Sequence, residues 1–144
     1  MFRIHRLFIK TAIAYLVLGV GLGGWLLLRK AVSGEGGSHD LALVHTHLVL
    51  VGFMLMMVMG VSLWMFPRRP GMGKEVLAKD PLAWGTYLLL NAGLLLRMVS
   101  EPLLPLPPAR VTLGLAALFQ VGGVLLFVRG IWGRVRPPSM VPDL

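Results

Sequence analysis

Two histidines, His45 and His47, stand two residues apart a little inside one end of the apolar run 41–69, LALVHTHLVLVGFMLMMVMGVSLWMFPRR. An ionisable side chain within a membrane span is costly, so it usually faces a bundle interior and has a role there. Imidazole ligates metals through either ring nitrogen, which makes this the stretch expected to hold a cofactor. At about 100° per residue the two rings point about 200° apart, so both cannot serve one metal centre from a regular helix. Either one is a ligand while the other faces a neighbouring helix or the interface, or the two serve different sites. From His45 a smooth face runs through Gly52, Met56, Met59 and Ser62 or Leu63, with the glycine one step below the histidine where a flat macrocycle has room. His47 looks instead toward Met54, Val58 and Val61. The structural alternative for either ring is a hydrogen bond across helices or a tip reaching the outer surface.

Met54, Met56, Met57, Met59 and Met65 follow within the same helix. Thioether sulfur binds Cu(I) and imidazole binds copper, but methionine also packs irregular gaps, including those around a cofactor, and that is the expectation here. Further along, Arg97 emerges at the level of the histidines. Its guanidinium either forks onto a carboxylate such as a haem propionate or pairs with Glu101 four residues on. No nucleophile–base pair, paired carboxylates or phosphate-cradling loop is apparent.

The elements that must position these groups follow from composition. The chain has 144 residues, 56% hydrophobic and 14% charged, with a mean hydropathy of +0.79; a water-soluble globule of that size lacks the polar surface such a chain would need. It is read as one domain, 1–144. A bilayer core about 30 Å thick asks for roughly 20 apolar residues per helix, and four windows meet this, at about 7–28, 41–67, 82–99 and 111–128. The first is longer than a signal-peptide core and no small-residue cleavage pattern follows it, so it is expected to remain a span. The expected fold is all-α: a polytopic membrane protein with four transmembrane helices in an antiparallel bundle. Gly- and Pro-containing turns separate the windows, and Asp40 and Asp80 stand at expected N-caps, with Pro81 suited to a first helical position.

A formal charge of +8 and a pI of about 11.2 raise nucleic acid as a partner, but the basic residues lie between apolar spans and not in one stripe, which excludes it. Zero cysteines exclude disulfides, thiolate zinc sites and iron–sulfur clusters. Cytoplasmic loops hold an excess of Lys and Arg. Ten of them (Arg3, Arg6, Lys10, Arg68, Arg69, Lys74, Lys79, Arg129, Arg134, Arg136) fall on one side of a four-span chain and four (Arg29, Lys30, Arg97, Arg110) on the other. Both termini are therefore expected in the cytoplasm, with the chain in the cell (inner) membrane and His45 and His47 toward the outer face. Gly19 and Gly23 form a GxxxG pair suited to close helix approach, and Asn91 is placed to join helices by hydrogen bonding. His5, among Arg3, Arg6 and Lys10, is expected at headgroup level.

The chain resembles the first four helices of the haem–copper oxidase subunit I superfamily, which includes the cbb3-type oxidases and nitric oxide reductases, and its short stand-alone relatives; it is also similar to the NnrS family of haem-binding membrane proteins. The resemblance lies in HRLFIKTAIAYLVLGVGLGGWLLLR, in LVHTHLVLVGFMLMMVMGVSLWMFPR with its histidine near the outer end and terminal proline, and in WGTYLLLNAGLLLRMVSEPL. It implies that a second-helix histidine ligates a low-spin haem. The HT pair maps best onto His45, while His47 stands where the large oxidases usually have another residue. The superfamily's other haem ligands and its copper ligands lie on later helices absent from this chain, so oxygen or nitric oxide reduction is not implied and the chain is not expected to be an enzyme.

The first expectation is thus an integral membrane protein binding haem b through His45 or His47, with Gly52, Met56 and Arg97 around it, for electron transfer, gas binding or haem handling linked to respiration. The iron would be completed by the same histidine of a second subunit in a homodimer, by His39 or Met98, or left open to a small gas such as NO. The alternatives are a cofactor-free accessory or assembly subunit docked on a respiratory oxidase or nitric oxide reductase, and a copper-handling membrane protein.

Overall fold

The computed structural model describes residues 4–34, 37–66 and 80–135. These form four helices long and apolar enough to cross a membrane, with no strand among the described residues. Helix α1 is Ile4–Ser33 and α2 is His39–Met65. Helix α3 is Pro81–Ser100, prolonged by a 3₁₀ turn at Glu101–Leu103, and α4 is Pro107–Ile131, prolonged by another at Trp132–Arg134. Each helix outruns its apolar window at one or both ends, because hydrocarbon thickness limits the apolar run whereas backbone hydrogen bonding and caps limit the helix.

Asp80 caps α3 as its position suggests: Oδ1 accepts the Leu82 N–H at 3.0 Å, and Pro81 takes the first position. Asp40 does not cap α2. Ser38 does, its Oγ accepting the Leu41 N–H at 3.3 Å, which leaves Asp40 inside the first turn where a carboxylate favours the helix dipole. Helix α2 ends at Met65, before an extended Phe66; Pro67, and with it Arg3, Arg68, Arg69, Lys74, Lys79 and Arg136, lie outside the described residues.

Glycines set the helix pairings. A methyl group at Gly60 would meet Phe8, at Gly52 Tyr15, at Gly19 Leu48 and Val49, and at Gly23 His45. Those partners ascend α1 as they descend α2, so the two helices run against one another with their backbones close. Helices α3 and α4 pair the same way, Gly123 against Leu90 and Gly93 against Ala116 and Gln120, closed at one end by a 2.6 Å bond between the Ser100 and Thr112 hydroxyls. Polar rungs tie α1 to α3: Thr11 to Tyr87 at 2.8 Å, and Tyr15 Oη–H to Asn91 Oδ1 at 2.8 Å, with Asn91 Nδ2 donating in turn to the Tyr87 carbonyl at 2.7 Å. Asn91 is thus the interhelical link its position suggests.

Phe8, Tyr15, Leu48, Met56, Met59, Leu63, Leu90 and Leu94 form the core. Large apolar side chains such as Val17, Leu27, Leu118 and Leu125 face outward, an arrangement lipid tolerates because its tails are as apolar as leucine. His5, in the first turn of α1, is buried against its neighbours, 8% exposed, with its carbonyl beside Gly60.

Within α2 the segment Leu48–Leu55 is π-helical. It begins directly after His47 and lies between α-helical stretches above and below. The buried residues Val44, Leu48, Gly52 and Met56 recur every four, a repeat that drifts about 40° per step on a regular helix of 3.6 residues per turn. The wider i→i+5 turns offset that drift and keep the four on one face.

Candidate functional site

His45 and His47 leave α2 before the π-helical segment, and the structure sends them to different partners. His45 Nδ1 lies 2.8 Å from the Gly19 carbonyl of α1, and His47 Nδ1 lies 2.9 Å from the Leu43 carbonyl of its own helix. A carbonyl only accepts, so each Nδ1 carries a proton, and in the neutral tautomer that this selects the lone pair sits on Nε2. A backbone carbonyl on one ring nitrogen is the usual support for a histidine that ligates a metal with the other. The one side-chain hydrogen bond of His45 among the described residues is that of Nδ1.

What receives the His45 ring is Gly23. A methyl group there would stand 2.6 Å from Cε1, 2.9 Å from Nδ1 and 3.2 Å from Nε2, so the imidazole lies on bare backbone one turn beyond the carbonyl it binds. The GxxxG pair of α1 therefore does two things: Gly19 admits Leu48 and Val49 of α2 and supplies the acceptor, and Gly23 makes room for the ring. Beside them is a cavity of about 330 Å³, open on one side and lined by Gly23, Leu26, Leu27, Lys30, Gly37, Ala42 and His45. Ligand sites commonly hold about 300–1,000 Å³, so this one is small, and its open side leaves a larger macrocycle room to extend.

Gly52 and Met56 do not join His45 at this cavity. The space over Gly52 is taken by Tyr15 and Leu94, whose carbons would lie 2.8 and 2.9 Å from a methyl group there, and Met56 is 1% exposed within the core. Arg97 is engaged by Glu101: Nε stands 3.1 Å from Oε2 and Nη2 donates to Oε1 at 3.2 Å, with the carboxylate buried. That pairing is one of the two roles its spacing allows. The methionines scatter, Met56 and Met59 into the core and Met54 and Met65 outward. Among the described residues no three of His, Cys, Asp and Glu come together.

No protein-family model, curated protein or solved structure matches the chain.

Chemistry at the site is accordingly read from its own donor set. One imidazole and one lysine side chain share a lining that is otherwise apolar. A porphyrin brings its own equatorial nitrogens and asks the protein only for axial ligands, which this donor set can meet. Gly23 and Lys30 are the site residues that the spacing of α2 alone does not reveal. Their signal is on α1: Gly19, Gly23, Leu26 and Lys30 stand at i, i+4, i+7 and i+11, one stripe of a helix.

Proposed function

We propose that this protein is an integral membrane haem-binding protein that holds haem b through Nε2 of His45 and presents the iron to a small gaseous ligand such as NO or CO. The observation that carries this is the seating of His45: Nδ1–H on the Gly19 carbonyl, the ring on Gly23, and Nε2 without a hydrogen bond among the described residues, in a residue that lines a largely apolar cavity. The resemblance of the first three helices to the haem–copper oxidase superfamily belongs to the same proposal, as does the assignment of His45 over His47.

Haem held by His45 would supply an iron able to bind diatomic gases. Beyond that the work is the chain's own. Gly19 fixes the tautomer and orientation of the ring, Leu26 and Leu27 keep the surroundings apolar, and Gly23 lets the ring approach the α1 backbone. No second histidine and no methionine lines the cavity, which favours one protein ligand and an open face over two protein ligands and electron transfer. The helices are placed as a bundle in the cell membrane with both termini cytoplasmic, on the distribution of Lys and Arg.

The test is a visible spectrum of the detergent-purified protein. A Soret band is expected that shifts on reduction with dithionite and again when CO or NO is added, disappears in His45→Ala and persists in His47→Ala. A colourless wild-type protein that does not take up added haem, or a band lost with His47 and kept without His45, would overturn the assignment.

A further inference from the structure

Lys30 lines the same cavity as His45. It lies seven residues beyond Gly23 on one stripe of α1, about 10 Å along the axis at 1.5 Å per residue, with Leu26 and Leu27 between them. Its ammonium makes no ion pair or side-chain hydrogen bond among the described residues. The neighbouring cations differ: Arg29 stacks over Trp25, 5.6 Å from the ring centroid, and Arg97 is held by Glu101. The cavity therefore has polarity, with an imidazole in its wall, leucine side chains beside it, and nearer the helix end a lysine without an ion pair among the described residues. An amphiphile with a flat apolar body and a carboxylate at one edge matches that order.

We infer that Lys30 binds a propionate carboxylate of the haem and thereby selects porphyrins carrying a free acid and fixes which edge of the ring points to the membrane surface. This rests on the haem reading, and it assigns the propionate contact to Lys30 and not to Arg97. A carboxylate anchored by an ammonium at the edge of an apolar site gains from both charge and hydrogen bonding, whereas its methyl ester gains from neither.

The experiment titrates the full chain in detergent with haem b and with haem b dimethyl ester, following the Soret band. Wild-type protein is expected to bind the free acid about tenfold more tightly than the ester, the factor that corresponds to one charge-assisted hydrogen bond. Lys30→Gln is expected to lose that factor for the free acid and leave the ester unchanged, and Lys30→Arg to retain most of the preference. Equal affinity of the wild-type protein for acid and ester, or a Lys30→Gln variant weakened equally for both, would overturn the assignment of Lys30 while leaving His45 as ligand. A Soret band that stays that of the porphyrin in detergent alone, for both acid and ester, would overturn the haem reading itself and this inference with it. The ester arm needs no mutant, so the outcome does not depend on a variant folding.

Discussion

At the scale of single residues, His45 was legible and its seat was not. An imidazole inside an apolar helix is conspicuous in any sequence, and the placement of both histidines near one end of their span follows from counting. The macrocycle was expected over Gly52 because seven residues at about 100° return almost to the line of His45. The turns between them are π-helical, each residue there advances by less, and Gly52 comes to face Tyr15 and Leu94. The glycine that does lie against His45 belongs to another helix. Gly23 is accordingly the most informative residue to change. Gly23→Ala places a carbon 2.6 Å from His45 Cε1, and the imidazole, being the tip of a side chain, can swing away at the expense of its bond to Gly19. Helix propensity favours the alanine by roughly 0.5–1 kcal/mol. Thermal stability is expected to hold or rise while haem affinity falls about 10- to 100-fold, the usual loss when a ligand's supporting hydrogen bond is removed. A spectrophotometric haem titration beside a thermal melt separates the two effects. Parallel losses in both would mean that Gly23 matters only for packing.

At the scale of elements, four helices were legible because each carries an apolar run of spanning length between Gly- and Pro-containing turns. Their ends were less so. Whether Ser38 or Asp40 caps α2 is a choice between two good caps two residues apart, decided by which side chain reaches a free N–H. The π-helical segment has no compositional mark at all: LVLVGFML would suit an ordinary helix equally well. Nor does the sequence advertise that the end of α4 closes the end of α2. Arg134, 3% exposed, donates from Nη2 to the carbonyls of Leu63 at 3.1 Å and Phe66 at 2.9 Å. Leu63 lies in the last turn of α2 and Phe66 just beyond it, where carbonyls find no donor within the helix, and a cation there also meets the negative end of the helix dipole. Arg134→Ala is expected to destabilise the fold by about 1–3 kcal/mol through carbonyls left without a donor, and Arg134→Lys by less. Because this contact lies at the end of α2 away from His45, the haem spectrum of the folded protein is expected to be unchanged. The readout is the melting temperature in detergent together with the Soret position.

At the scale of the whole molecule, glycines bring α1 to α2 and α3 to α4, and the hydrogen-bonded rungs from Thr11 and Tyr15 join the two pairs. Lipid-facing residues need only be apolar, so composition announces a membrane protein without revealing which helices touch. The contacts are carried by small residues and a few polar ones, and those are the positions where the sequence is informative once the partner is known. Direction across the membrane is a separate matter, set by charge and not by packing. Ten basic residues on one side against four on the other predict cytoplasmic termini and a periplasmic mouth for the His45 cavity. The absence of cysteine makes this directly testable, since any thiol introduced is the only one present. Ser33, exposed at the end of α1 beside Lys30, and Arg6, exposed near its start, report on opposite sides. Removing Arg6 leaves nine basic residues against four, so the bias that orients the chain survives the change. In intact spheroplasts a membrane-impermeant maleimide is expected to label Ser33→Cys and spare Arg6→Cys until the membrane is opened. The reverse pattern would put the cavity, and whatever gas reaches it, on the cytoplasmic side, and would mean that charge bias does not orient this chain.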